Sequence, residues 1–277
     1  MRVTIIGPGN MGRGIATRLL AGGHAVTLVG RDRDQAEAAA AELRPGAEGG
    51  ASIAAASGPV EAIPGSDVVV LALPYAANLA MARQVAPLLG GKVVVDISNP
   101  LNESFDGLVT GGDTSAAETI RAELPADARL VKAFNTTFAG TLEKGEVAGQ
   151  RLDVFIAGDD ASANQQVVEL VRTGGMQPIE VGGLQRARQL EALGFLGISI
   201  QEPLGTGFAT AWKLVLPGTA PAQTDGFPRN AVAGVFDDPH AAGDVAGALR
   251  EGGGDPERVH LLYGSEGGER LGRAREG

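Results

Sequence analysis

The chain has 277 residues, of which 44% are apolar and 20% charged, a composition that suits a globular fold of one or two domains. Its 33 acidic residues against 23 basic ones give a net charge of −10, so a nucleic-acid partner is not expected, because phosphate binding needs a basic surface. The absence of cysteine excludes disulfides, thiolate chemistry and cysteine-ligated metal, and no apolar run reaches the ~18 residues of a membrane span.

Residues 3–6 form a short apolar run ended by Gly-Pro-Gly, the pattern of a strand buried on both faces. The sequence enters this strand without the layout of a signal peptide, and a soluble, cytoplasmic protein is expected. Residues 11–20 carry Met11, Ile15 and Leu19 at helical spacing before Gly22-Gly23 stops the run. The same reading predicts strands at 25–29, 67–73, 92–97, 129–134, 153–157 and 178–181, and helices at 33–43, 76–89, 114–124 and 161–172. Strand alternating with helix implies an α/β fold, a doubly wound parallel Rossmann sheet over 1–182. From residue 184 to about 216 the period becomes helical (Leu184, Ala187, Leu190, Leu193, Leu196), which predicts a small C-terminal helical part over 183–218. A polar, proline-bearing linker is expected over 219–228. A short βαβ appendage is expected over 229–277, with strands at 231–236 and 259–263 around a helix at 239–250.

Gly7-Pro8-Gly9-Asn10-Met11-Gly12 is a GxGxxG turn between a predicted strand and a predicted helix. In that context Gly7 permits the tight turn, Gly9 lets a pyrophosphate approach the backbone, and Gly12 lets helix pack on strand. The phosphates would then meet the N–H groups of a helix N-terminus. An NAD binder usually carries an acid at the end of the second strand, about 20 residues further on. Here Gly30 stands there, followed by Arg31, Asp32 and Arg33. A guanidinium suits a 2′-phosphate, which favours NADP. Asp32 is the opposing feature, since its carboxylate could face the ribose, and both arginines also read as ordinary solvated charges.

Later strand ends should line the same crevice. They are Leu73-Pro74-Tyr75, Asn99 before Pro100, and the run Ala133-Phe134-Asn135-Thr136-Thr137-Phe138. Asn99 and Asn135 are neutral groups able to bond a nicotinamide amide or a ribose, and equally able to serve as turn residues. Acid–base groups are scarce. His24 precedes a strand, His240 and His260 lie in the expected appendage, and Lys132 falls inside an apolar strand, where a neighbouring acid is the simplest partner. No Ser-His-Asp set and no metal-spaced histidine pair occurs. Reductases that make an alcohol or amine generally need a proton donor, whereas hydride exchange between two cofactors needs mainly alignment.

The glycine motif with Asn10-Met11, then Leu73-Pro74-Tyr75, Val95-Asp96-Ile97-Ser98-Asn99-Pro100-Leu101, Val131-Lys132-Ala133-Phe134-Asn135-Thr136 and Phe155-Ile156-Ala157-Gly158-Asp159-Asp160, resemble the NADPH-dependent coenzyme F420 reductase family. Gly182-Gly183-Leu184, Ala187-Arg188, Glu191, Gly205-Thr206-Gly207 and Trp212-Lys213-Leu214 fit that family's C-terminal helices. The resemblance covers about residues 1–216. It implies an NADP-binding Rossmann domain, a helical part that shapes a deazaflavin pocket, and hydride transfer with no obligatory side-chain acid. It places Pro8, Gly9, Asn10 and Met11 on the pyrophosphate loop, Gly30 and Arg31 at the 2′-phosphate, and Leu73, Pro74 and Tyr75 beside the cofactor. Phe138, Ala139 and Gly207 would approach the deazaflavin. The sequence departs from the archaeal members, which put Ser at the place of Gly30, Lys near Gln35 and His at Asn135. Phe-Asn-Thr is instead similar to the oxidoreductase domain of the STEAP ferric reductases, so a flavin is the other expected redox partner. A homodimer is the expected assembly. The start of the chain also looks like imine-type pyrroline-5-carboxylate reductases and β-hydroxyacid dehydrogenases, but those need a long helical second domain. An NADP-binding sensor without turnover is the non-enzymatic alternative.

Overall fold

A computed structural model describes residues 1–47 and 49–215, and Met1–Val215 make one compact unit. The expected linker at 219–228 and appendage at 229–277 lie outside the described residues. In chain order the strands are β1 (Arg2–Ile6), β2 (Ala25–Val29), β3 (Ser52–Ala56), β4 (Val68–Leu71), β5 (Val93–Asp96), β6 (Arg129–Lys132), β7 (Glu146–Val147), β8 (Gln150–Arg151), β9 (Asp153–Gly158) and β10 (Gln177–Gly182). The helices are α1 (Asn10–Ala21), α2 (Arg33–Leu43), α3 (Pro59–Ala62), α4 (Tyr75–Val85), α5 (Ala116–Ala122), α6 (Ala139–Lys144), α7 (Ala161–Thr173), α8 (Ala187–Ser199) and α9 (Gln201–Leu204).

Eight strands make one sheet in the order β10-β9-β6-β5-β4-β1-β2-β3. The apolar runs of β4 and β5 are buried at every position, and alternate residues feed two cores. Ile5, Val70 and Val95 pack toward α1, α2 and α7, whereas Ile6, Val69 and Val94 pack toward α4 and α5. Helices therefore cover both faces, which is the doubly wound arrangement that a parallel sheet requires. The chain moves from β1 outward to β2 and β3, then returns to place β4 on the other side of β1. The crevice beyond the carboxyl ends of β1 and β4 is thus the topological switch point, where ligands of such sheets bind.

The structure differs from the sequence reading in four places. β3 was not expected, because Ser-Ile-Ala-Ala-Ala is poor in β-formers. Pairing with β2 along its whole length, from Ala25–Ser52 to Val29–Ala56, holds it extended. The sheet is not wholly parallel: β9 runs antiparallel to β6 while β10 is parallel to β9. The reversal is made by α6 and the β7–β8 hairpin, neither of which the periodicity marked. The hairpin turns on Ala148 and Gly149, both at positive φ, as two-residue turns require. Finally, Trp212, Lys213 and Leu214 lie in irregular chain rather than in a helix. Gly205, Gly207 and Phe208 at φ 62°, 56° and 62° break the helical path before them.

His24 joins β2 to α7. Its Nε2 lies 2.7 Å from the Thr173 hydroxyl, which donates to the Glu169 carbonyl, so the ring nitrogen is the donor. Burial pushes the imidazole below its ordinary pKa. The unfolded chain therefore takes up the proton first. The stabilisation is complete above an unfolded value near ~6.5 and declines as pH falls below it. Urea unfolding followed from about pH 8 to about pH 5 should show falling stability, and His24→Gln should flatten that slope.

Candidate functional site

The strand-end residues gather at one edge because β1, β2, β4, β5 and β6 are mutually parallel. The turn after β1 is forced by two close approaches. Gly7 has φ +112° and its backbone amide donates to the Val29 carbonyl at 2.9 Å. A β-carbon there would stand 2.5 Å from the Ala72 carbonyl oxygen. A β-carbon on Gly12 would collide with the Gly7 carbonyl oxygen. Gly9 is different: nothing lies within 4 Å of its missing side chain, and it is the N-cap of α1 without any side-chain cap. Gly7 and Gly12 thus serve the fold, and Gly9 opens the helix N-terminus, with its unbonded amides and positive dipole end, to the crevice. Pro8 is buried; Asn10 is exposed and Met11 half-buried at the start of α1.

At the end of β2 the fold explains why residue 30 carries no acid. A β-carbon on Gly30 would meet the Asp32 carbonyl oxygen at 2.9 Å and Gln35 Oε1 at 3.0 Å. Asp32 caps α2, its Oδ1 accepting from the Gln35 amide at 2.8 Å, and Gln35 Oε1 accepts from the Arg31 amide at 3.1 Å. The carboxylate that could have faced a ribose is turned into the helix. Arg31 and Arg33 are exposed, and neither forms an ion pair among the described residues.

Across the switch point, Leu73 donates its amide to Asn78 Oδ1 at 3.0 Å, Pro74 is the N-cap of α4 and half-buried Tyr75 begins it. Asn99 and Asn135 bond each other reciprocally: Asn135 Nδ2 donates to Asn99 Oδ1 at 2.8 Å, and Asn99 Nδ2 donates to the Asn135 carbonyl at 2.9 Å. Asn135 Nδ2 also donates to the Leu190 carbonyl at 2.8 Å. Asn135 is 4% exposed, and its Oδ1 has no hydrogen-bond partner among the described residues. The residue before it, Phe134, is buried at φ 63°, a strained setting that re-aims the chain as it leaves β6. Ala133 is fully buried in the core.

Beneath the asparagines lies a charge cluster of which only the lysine was read as a buried charge. Asp96 and Lys132 are register partners on β5 and β6. Lys132 Nζ lies 2.7 Å from Asp96 Oδ2 and 2.9 Å from Glu191 Oε1, and it also donates to the Ser98 carbonyl. The three side chains are at most 1% exposed. Asp96 Oδ1 accepts from the Ser98 amide and hydroxyl and from Asn78 Nδ2. Glu191 accepts from the amides of Ala116 and Ala117 at 2.9 and 3.2 Å, so it covers the start of α5. Burial opposes the ammonium, but the two carboxylates win and hold Lys132 above its usual pKa. Burial pushes Glu191 up, against the pull of Lys132. Each group is satisfied by the others, so this is a structural cluster rather than a free acid or base.

An aromatic cluster packs beside α8. Phe138 meets Phe208 edge to face, with ring centroids 5.2 Å apart. Gly197 of α8 lies against both Trp212 and Phe138. Ala139 starts α6, where its carbonyl packs on Gly14 of α1. Gly207 faces open space, and its positive φ, rather than crowding, accounts for the glycine.

A glycine-turn crevice at a switch point, with arginines and no free acid at the end of the second strand, defines a Rossmann-type dinucleotide-binding protein. Comparison with known proteins agrees. The family described as NADP oxidoreductase, coenzyme F420-dependent, matches residues 2–100. The F420-dependent NADP reductase of Methanocaldococcus jannaschii is 30% identical, over 75% of this chain and 96% of that protein. The metalloreductase STEAP3 of Rattus norvegicus is 32% identical over 69% of this chain, which spans only 36% of that relative's length. A crystal structure from Arthrobacter sp. FB24, bearing the name of an F420-dependent NADP-reductase, superposes with a TM-score of 0.66. It is 30% identical over 77% of this chain and 99% of its own. The chain belongs to the family of coenzyme F420-dependent NADP oxidoreductases.

Removing the cation of a buried cluster strands its anions. Lys132→Met should cost about 3–5 kcal/mol of unfolding free energy, read from urea denaturation, with a smaller loss in acid where a carboxylate takes up a proton.

Proposed function

We propose that the protein transfers a hydride between NADP(H) and a deazaflavin of the coenzyme F420 type. The observation that carries this reading is the chemistry of the crevice in a member of this family. The nucleotide loop is open at Gly9, aromatic side chains pack beside α8, and the buried acid–base groups Asp96, Lys132 and Glu191 are all committed to one another. Such a site can align two ring systems, and among the described residues no histidine stands at the ends of β1, β4, β5 or β6. The dinucleotide supplies the hydride; the protein supplies its placement.

Several features fit NADP(H). The α1 N-terminus lacks a side-chain cap, and Gly9 leaves the approach to it clear. In this reading the amides of Gly9–Gly12 hold the pyrophosphate and Arg31 and Arg33 hold the 2′-phosphate. Leu73, Pro74 and Tyr75 flank the cofactor. Asn99 and Asn135 meet the nicotinamide end, which their mutual hydrogen bonds hold in one arrangement. Phe138, Ala139 and Gly207 face the deazaflavin. Residues 1–182 then bind NADP, 183–218 shape the second pocket and the contact of a homodimer, and the protein is cytoplasmic. Asn135 within Phe-Asn-Thr and the likeness to STEAP3 favour a second reading, in which a flavin or ferric chelate is the acceptor.

NADPH oxidation should be measured with coenzyme F420, FMN, FAD and a ferric chelate offered separately. Fast turnover with F420 is expected. Turnover with flavin or ferric chelate alone supports the second reading, and NADPH binding without any acceptor supports a sensor. NADPH should bind more tightly than NADH by about 5- to 150-fold, the range for charge-assisted hydrogen bonds. Arg31→Ala should erase most of that preference and leave NADH affinity nearly unchanged; equal affinities in the unaltered protein would contradict the NADP assignment.

A further inference from the structure

Three successive contacts of α8 converge on the crevice. The Leu190 carbonyl accepts from Asn135 Nδ2 at 2.8 Å. Glu191 pairs with Lys132 and accepts from the first amides of α5. Gly194 backs so closely on the asparagines that a β-carbon would stand 2.7 Å from Asn99 Oδ1 and 2.9 Å from the Asn135 carbonyl oxygen. One turn further, Gly197 meets Trp212 and Phe138 of the aromatic cluster. The same helix therefore touches the Asn99–Asn135 pair with one stretch and the aromatic cluster with the next. Arg188 adds a bidentate bridge to Glu118 at 2.6 and 2.8 Å, but that bridge is partly exposed. Among the described residues, Glu191 is the one α8 side chain that enters the buried cluster, and Lys132 ties it to the Ser98 carbonyl immediately before Asn99.

We infer that Glu191 is a positioning residue: through Lys132 it fixes the register of α8 on the sheet, and so the spacing between the Asn99–Asn135 pair and the aromatic cluster. The inference rests on the proposed hydride transfer for its consequence, though not for its geometry. Hydride transfer depends steeply on approach, and a displacement of about 1 Å can cost ~100-fold in rate. The nucleotide loop belongs to β1 and α1 and does not touch Glu191. Loosening α8 should therefore slow the chemical step far more than it weakens NADPH binding, because only the Asn99–Asn135 end of the cofactor path leans on this helix.

Glu191→Gln keeps the length of the side chain and removes its charge, leaving one oxygen for donors that now use two. Glu191→Asp keeps the charge but shortens the side chain by one methylene, and serves where the first variant does not fold. Two readouts are needed. The chain has a single tryptophan, Trp212, which packs against α8, so its acrylamide quenching reports the seat of the helix without any substrate. Single-turnover oxidation of bound NADPH, with whichever acceptor the unaltered protein reduces, reports the spacing. The expected result is stronger quenching and an approximately tenfold slower transfer, with NADPH affinity within about threefold. Unchanged quenching in both variants would overturn the inference, as would NADPH affinity falling in parallel with the rate. If the unaltered protein reduces no acceptor, the proposed function fails, and the quenching alone decides whether Glu191 seats α8.

Discussion

A lysine ammonium in a dry interior is tolerated only when carboxylates and carbonyls replace its water, and most of this structure can be traced from one such group. Lys132 cannot be paired by its own strand. It takes one partner from the neighbouring strand, Asp96, and a second from the helix that follows the last strand, Glu191. Asp96 in turn holds Ser98 and Asn78, which set the turns after β5 and β4. Glu191 covers the start of α5. Five segments distant in sequence thus share one electrostatic knot. Such a knot adds little net stability over an apolar core, but any partner's loss is costly, so it enforces one arrangement.

The crevice divides its labour by residue type. Glycines let backbone approach backbone where the fold is tightest, as at Gly7 against Ala72, and leave one helix N-terminus unshielded at Gly9. In the proposed reading neutral amides meet the nicotinamide end, so no fixed charge stands there. Guanidiniums stand at the opposite end of the expected dinucleotide path, in solvent, where a phosphate can reach them without a buried cation. Aromatic side chains pack beside α8. This segregation is what a site for aligning two flat cofactors needs, and it leaves acid–base groups to structural duty.

Much of this was legible in the sequence because the signals are local. The Gly7–Gly12 turn and the apolar runs of β1, β4 and β5 each lie within a few consecutive residues. What was not legible depends on pairing at a distance. Ser52–Ala56 has no strand signal of its own and is extended only because β2 pairs with it. The antiparallel step at β9 is set by a hairpin of two-residue strands. The partnership of Lys132 was half visible: an isolated charge ending an apolar run on each of two strands, Asp96 and Lys132, points to cross-strand pairing once the two are taken as neighbours. Glu191 was marked only by the family resemblance and not as a partner of Lys132, because one acid in a helical segment looks the same whether it faces solvent or core. Asp32 shows the converse, a residue read as able to face a ribose whose carboxylate instead caps α2 through the Gln35 amide.

The central claim is direct passage of hydride from a nicotinamide to a deazaflavin aligned by this crevice. The most direct measurement uses NADPH deuterated at each face of C4 in turn, with coenzyme F420 as acceptor, and follows the label in the reduced product. The account predicts that deuterium from one face alone arrives on the deazaflavin ring carbon and that none enters from heavy water. Label lost to solvent, or no reduction of the deazaflavin at all, would contradict it.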